Sequence, residues 1–88
     1  MAQAELTITN RQGLHARACQ LFVRVAGRYR CEVFVSRDGV EVNGKSILGV
    51  MMLAAEPGAA IVVRTVGADA DVALAALTQL VEDKFGED

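Results

Sequence analysis

Polar and apolar residues change their spacing several times along this chain, and each change marks a boundary between elements. Ala4, Leu6 and Ile8 alternate with Glu5, Thr7 and Thr9, the two-residue period of a strand with one wet face. From Ala16 to Ala26 the apolar positions Ala18, Leu21, Phe22 and Val25 fall at i, i+3, i+4 and i+7, predicting a helix that Gly27 ends. Cys31, Val33 and Val35 return to alternation, Arg37-Asp38-Gly39 supplies turn chemistry, and Val40 and Val42 resume the strand. A hairpin follows, closed by Asn43-Gly44. Ser46 is a good N-cap for a short helix to about Leu53, and Pro57-Gly58 blocks any continuation. Ile61 to Val66 is β-branched, with Ile61, Val63 and Thr65 inward because Arg64 should face water. Asp69 caps a last helix with the stripe Ala70, Ala73, Leu74, Leu77 and Val81, and the residues after Lys84 are expected to fray.

The order is therefore βαββαβα. Strands able to pair antiparallel, with helices apolar on one side, predict an α+β fold whose helices pack over one face of an open sheet. With 88 residues, 52% of them hydrophobic and a single proline, residues 1–88 form one domain that buries roughly 60% of its unfolded surface. The start, Met1-Ala2-Gln3-Ala4-Glu5, lacks a basic region followed by an apolar run. No stretch is long enough to span a bilayer, so a soluble cytoplasmic protein without membrane insertion is expected. A formal charge of −2 argues against general nucleic-acid affinity, which needs clustered cations.

Candidate chemistry concentrates where the first strand gives way to the first helix. The only histidine lies there, in Gly13-Leu14-His15-Ala16-Arg17. Free amide donors and partial positive charge at a helix start stabilise an attached anion, such as a phosphoryl group. The same field disfavours imidazolium and is expected to hold His15 in the neutral, nucleophilic form. Alone, however, a histidine at such a position is more often a cap or a surface residue. Metal binding lacks support, because no second histidine or ordered cysteine pair accompanies it, and no cofactor is implied. Cys19 and Cys31 are too far apart for a Cys-x-x-Cys pair and read as small apolar residues.

Two signatures together, Gly13-Leu14-His15-Ala16-Arg17 and Asn43-Gly44-Lys45-Ser46-Ile47, resemble the HPr family, the histidine-containing phosphocarriers of the bacterial phosphotransferase system. The resemblance runs from Leu6 to about Val81. It implies an open-faced two-layer sandwich, a four-stranded antiparallel sheet in the order 1-4-2-3 with three helices on one face. It also implies that His15 Nδ1 accepts a phosphoryl group from enzyme I and passes it to an enzyme IIA domain. The backbone amides of Ala16 and Arg17 and the Arg17 guanidinium would stabilise its oxygens. The chain would then be a stoichiometric carrier and not a stand-alone enzyme, acting as a monomer. One departure stands out: Ala18 replaces the family's proline, leaving the first turn less preorganised and adding an amide donor.

Two surfaces are candidates for docking. Arg17, Gln20 and Arg24, with Arg28 near the same line, form a cationic stripe opposite Phe22. On a surface helix this reads as a solvated face, but its sign suits acidic partner surfaces. The short helix from Ile47 to Ala54 is apolar all round. With Val50, Leu53 and Ala54 inward, Leu48, Met51 and Met52 point outward and Ile47 lies at the margin, a patch adaptable to several partners. Ser46 needs no function beyond capping, while the resemblance adds regulatory phosphorylation there by an HPr kinase/phosphorylase. Two alternatives stand beside the sugar carrier. One is a nitrogen-type regulatory phosphocarrier; the other is a non-catalytic interaction module that docks through Leu48, Met51 and Met52.

Overall fold

The computed structural model describes residues 1–87 and has the expected element order. The elements are β1 (Ala2–Thr7), α1 (Ala16–Ala26), β2 (Glu32–Arg37), β3 (Val40–Asn43), α2 (Ile47–Met52), β4 (Ala60–Val66) and α3 (Ala70–Glu82). A 3₁₀ turn over Lys84–Gly86 follows. The sheet is antiparallel in the order β1-β4-β2-β3. Because β1 and β2 both run antiparallel to β4, they are parallel to each other, and α1 makes the crossover between them.

Register explains which face is apolar. Leu6 lies opposite Ile61, Ala4 and Val35 opposite Val63, and Val33 opposite Thr65. Leu6, Val33, Val35, Ile61, Val63 and Thr65 are all buried on the helix-covered face. Thr65 is polar but satisfied, its hydroxyl donating to the Ala70 carbonyl at 2.8 Å and so fastening the start of α3 to β4. Arg64 points to the open face, with its guanidinium 4.3 Å above the Phe34 ring and bonded to Glu41. The β2–β3 hairpin turns at Asp38 and Gly39, with φ of 52° and 85°, the pair of positive values a tight two-residue hairpin needs.

The first helix buries a different edge from the one its spacing predicted. Ala18, Cys19, Phe22 and Ala26 are enclosed, whereas Leu21 and Val25 are half-buried at the margin of the core. Because α1 packs against both α2 and α3, small residues on its inner edge allow close approach, and Phe22 supplies most of the volume. In α3 the predicted stripe holds for Ala70, Ala73, Leu77 and Val81, with Leu74 half-buried. Cys19 and Cys31 are buried and unpaired. Among the described residues no helix is long and apolar enough to cross a membrane.

Three local expectations are corrected. Asp69 precedes α3 but its carboxylate makes no cap bond there. It accepts instead from the Arg30 and Cys31 amides, both at 2.8 Å, which would otherwise lack partners just ahead of β2. Ala54 does not face the core: it is exposed with φ 47°, and Ala55 is buried in its place. The chain turns sharply there because α2 ends under Arg37, whose guanidinium donates to the Leu53 and Ala54 carbonyls at 3.1 and 2.8 Å. The residues after Lys84 do not fray as far as Glu87. Phe85 is only 4% exposed and closes the core at that end, and Glu87 is hydrogen-bonded to Asn10. Asp88 lies outside the described residues.

Ala54 carries a left-handed backbone in solvent, so Ala54→Gly is expected to stabilise the fold by about 0.5–1 kcal/mol, read as a higher urea midpoint. Hydrogen bonds, first from the Arg30 amide, hold the Asp69 carboxyl below its ordinary value. Its contribution is therefore complete above the unfolded carboxyl's range near about pH 4 and is lost as pH falls through the lower folded value. Asp69→Asn should be less stable than wild type at neutral pH and lose less stability on acidification, measured by urea unfolding across that range.

Candidate functional site

The approach to His15 is set by a turn, not by α1 itself. Asn10 is fully buried, accepts from the Gly13 amide at 3.2 Å and donates its side-chain amide to the Gly13 carbonyl at 2.7 Å. Gly13 has φ +68°, and a Cβ there would stand 2.6 Å from the Ala55 carbonyl oxygen, so glycine is required on both counts. Leu14 then donates to that same carbonyl at 2.8 Å and buries its side chain. His15 follows in extended backbone, φ −81° and ψ 178°, the geometry of an N-cap.

Its ring does the capping. His15 Nδ1 accepts from the Arg17 amide at 3.3 Å, and the His15 carbonyl accepts from the Cys19 amide, which starts the helical ladder. The amides of Ala16, Arg17 and Ala18, in the first turn, have no carbonyl four residues back inside the helix. A buried Ala18 thus occupies the third helical position, where its amide is one of these free donors. The edge that carries Nδ1 therefore meets N–H groups and the positive end of α1, an environment suited to an anion.

The opposite edge of the ring meets a group that the sequence reading did not find. Glu87 Oε2 lies 2.5 Å from His15 Nε2, and Glu87 Oε1 accepts from Asn10 Nδ2 at 3.0 Å. These bonds, from Asn10 first and then His15, hold the Glu87 carboxyl below its ordinary value. An Nδ1 that accepts and an Nε2 that faces a carboxylate place the proton on Nε2 and a lone pair on Nδ1. The expectation of a neutral ring rested on the helix end alone and did not count the carboxylate that lies at Nε2. Among the described residues Asn10 Oδ1 is a buried acceptor without a partner, a cost set against the two bonds that its Nδ2 makes.

Other predicted residues divide between two exposed surfaces. Ala16, Arg17, Gln20, Arg24 and Arg28 are all exposed on α1. On α2, Leu48 and Met52 are 75% and 78% exposed, and Ile47 and Met51 are each 41% exposed, while Val50 is buried. Since α1 and α2 pack on one another, these surfaces belong to one side of the molecule. Ser46 caps α2, its Oγ accepting from the Gly49 amide at 3.1 Å. Neither exposed surface touches His15 through a hydrogen bond from Ser46, Gln20 or Arg24 among the described residues. Arg37, which caps the other end of α2 and pairs with Glu56 at 2.6 Å, was also missed, because its partners lie in the distant segment that follows α2.

With this geometry in view, comparisons with known proteins settle the kinship. The family described as "PTS HPr component phosphorylation site" matches residues 2–83. The chain belongs to the HPr family. A phosphocarrier protein HPr of Pseudomonas aeruginosa strain PAO1 is 50% identical over 88 residues, covering 99% of this chain and 98% of that protein. Crystal structures from Thermoanaerobacter tengcongensis are similar throughout. HPr-C-His has a TM-score of 0.97 at 39% identity, covering 100% of this chain and 99% of its own. An HPr dimer has a TM-score of 0.80 at 39% identity, covering 99% and 100%. The sandwich and strand order implied by the resemblance are thus those of the molecule.

Ser46 can be separated from its surroundings by its capping bond. Ser46→Ala should lower stability by about 1 kcal/mol, and Ser46→Asp, which keeps an acceptor at the cap, by less, both read by urea unfolding.

Proposed function

We propose that this chain is a phosphocarrier of the phosphoenolpyruvate-dependent phosphotransferase system, taking a phosphoryl group on His15 Nδ1 from enzyme I and giving it to an enzyme IIA domain. Membership of the HPr family supports the class of activity. The observation that carries the site is the placement of His15 Nδ1, its lone pair met only by the Arg17 amide at 3.3 Å, against the first-turn amides of α1. As the Nδ1–P bond forms, the donor's bond to phosphorus breaks, and the phosphoryl oxygens gain the Ala16 and Arg17 amides as donors. The exposed Arg17 guanidinium is free to add a planar, charge-assisted contact. Positioning and charge stabilisation are most of what phosphoryl transfer needs, so a partner that brings the other half of the site completes it.

Docking follows from the same layout. Ile47, Leu48, Met51 and Met52 offer an apolar contact that methionines let adapt, and Gln20 and Arg24 beside them favour acidic rims. One carrier would thereby serve unlike partners in turn. We read Ser46 as a regulatory position as well as a cap. A dianion added there by an HPr kinase/phosphorylase would sit next to Ile47 and Leu48 and repel acidic partner surfaces. Asn10, Arg17 and Glu87 of a single copy are able to complete the surroundings of His15, and we take the working unit to be a monomer, a stoichiometric intermediate acting in the cytoplasm.

Incubation with phosphoenolpyruvate and enzyme I should give an acid-labile phosphoryl adduct on wild type and none on folded His15→Ala, seen by intact mass. Arg17→Ala should accept and pass the group roughly tenfold more slowly, equivalent to about 1.4 kcal/mol in the barrier. Absence of any wild-type adduct with an active enzyme I would leave the interaction-module reading.

A further inference from the structure

Either nitrogen of an imidazole is able to take a phosphoryl group, provided that nitrogen carries a lone pair. A neutral ring exchanging between tautomers would offer both. In this chain the two nitrogens are treated differently by residues far apart in sequence. Nδ1 meets only a long contact from the Arg17 amide, at 3.3 Å, which an arriving phosphoryl group displaces while keeping that amide as a donor. Nε2 meets the Glu87 carboxylate at 2.5 Å.

That carboxylate is held from behind. Its other oxygen accepts from Asn10 Nδ2, and Asn10 is fully buried, with the same amide also donating to the Gly13 carbonyl at 2.7 Å. Phe85, buried two residues earlier, anchors the backbone that carries Glu87. An exposed ion pair between two long side chains would have neither support. Glu87 is thus aimed at one atom of the ring, and that atom is the competing acceptor.

We propose that Glu87 decides which nitrogen of His15 is phosphorylated: it holds the proton on Nε2 and covers that edge, leaving Nδ1 as the nucleophile. When the Nδ1 pair bonds to phosphorus, the donor's leaving group takes the pair of the breaking bond. The ring keeps Nε2–H and becomes cationic, facing the carboxylate. When the group is passed on, the N–P pair returns to Nδ1 and the ring is neutral again with the same proton still on Nε2. Glu87 is a positioning residue in both directions, acting through the ring and never touching the phosphoryl group. This role deepens the carrier reading of His15, but its test does not depend on a partner enzyme.

Phosphoramidate, a small donor, serves as the probe for wild type, Glu87→Ala and Glu87→Gln, with the position of the adduct read by ³¹P and ¹⁵N NMR. Wild type should give the Nδ1 adduct alone. Glu87→Ala should add an Nε2 adduct and slow Nδ1 uptake about fivefold to tenfold, the difference between a charge-assisted bond and none. Glu87→Gln keeps the shape but has one acceptor oxygen where the carboxylate has two. It cannot serve Asn10 and His15 together, and the Nε2 adduct should appear there too. A downfield, slowly exchanging Nε2 proton should be present in unphosphorylated wild type and lost in Glu87→Ala, a signature that a merely structural residue would not move. A mixed adduct on wild type, or Nδ1-only adducts at the wild-type rate in both variants, would overturn the proposal. Selectivity with phosphoramidate alongside failure with enzyme I would sink the carrier reading and leave this one standing.

Discussion

The close approach of Gly13 to the segment Ala55–Pro57 is the constraint on which the rest of the site depends. A side chain at position 13 would collide with the Ala55 carbonyl oxygen at 2.6 Å and crowd Pro57 at 3.1 Å. Without one, the chain leaves β1, reverses, and lays Leu14 against the same carbonyl before His15 enters α1. The contact is zipped further by the Ile8 amide on the Ala59 carbonyl and the Gly58 amide on the Ile8 carbonyl. Because Ala55 lies two residues past Leu53, the cap of α2, the loop that aims His15 and the helix that bears the apolar patch are tied to one another. A partner that docks on Leu48 and Met52 therefore finds the imidazole at a fixed displacement, with little ordering left to do on binding.

Much of this was legible in the residues. The alternation through β1, β2 and β4 set their inward faces correctly, since only one register buries Leu6, Val33, Val35, Ile61 and Val63 together. Ser46 announced a cap and is one, and Arg37-Asp38-Gly39 announced a hairpin turn and makes one. His15 at a strand-to-helix boundary, beside an arginine, already specified an anion-friendly helix start. The strand order was different in kind. Nothing in the periodicity says that β4 lies between β1 and β2, and that order came with the resemblance to the HPr family.

What the residues hid were side-chain bonds across long loops. Asp69 was read as a cap because aspartate commonly sits there, but two unpartnered amides ahead of β2 outcompeted the helix end for its oxygens. Ala54 was read as inward from helical spacing, yet the helix stops first, under the guanidinium of Arg37. The deepest omission was Glu87. It lies 72 residues from His15 in a stretch with no periodicity, and polar residues at a chain end read as fraying. Phe85 was the available signal. One large aromatic among polar neighbours implies a place in the core, and an anchored Phe85 brings Glu87 to the ring.

A carrier faces two opposed demands, since a site that binds the phosphoryl group too well will not release it. The arrangement around His15 divides these demands between the two edges of one ring. On the Nδ1 edge, the first-turn amides and Arg17 would stabilise dianionic phosphoryl oxygens and so favour the loaded state. On the Nε2 edge, Glu87 would stabilise the cationic ring and keep its proton, which lets the N–P bond break with neutral imidazole as the leaving group and not its anion. That stabilisation would grow as the ring charge develops on loading and be lost as it is dissipated on transfer, so it favours the loaded ring, while the retained Nε2 proton is what keeps the leaving imidazole neutral. The carboxylate's negative charge also offsets part of the attraction that the helix end and Arg17 exert on the phosphoryl group, Arg17 being close enough to contribute to the lowering of the Glu87 carboxyl. The ring thus sits between a field that holds its cargo and a charge that eases its release, and each comes from a different end of the chain.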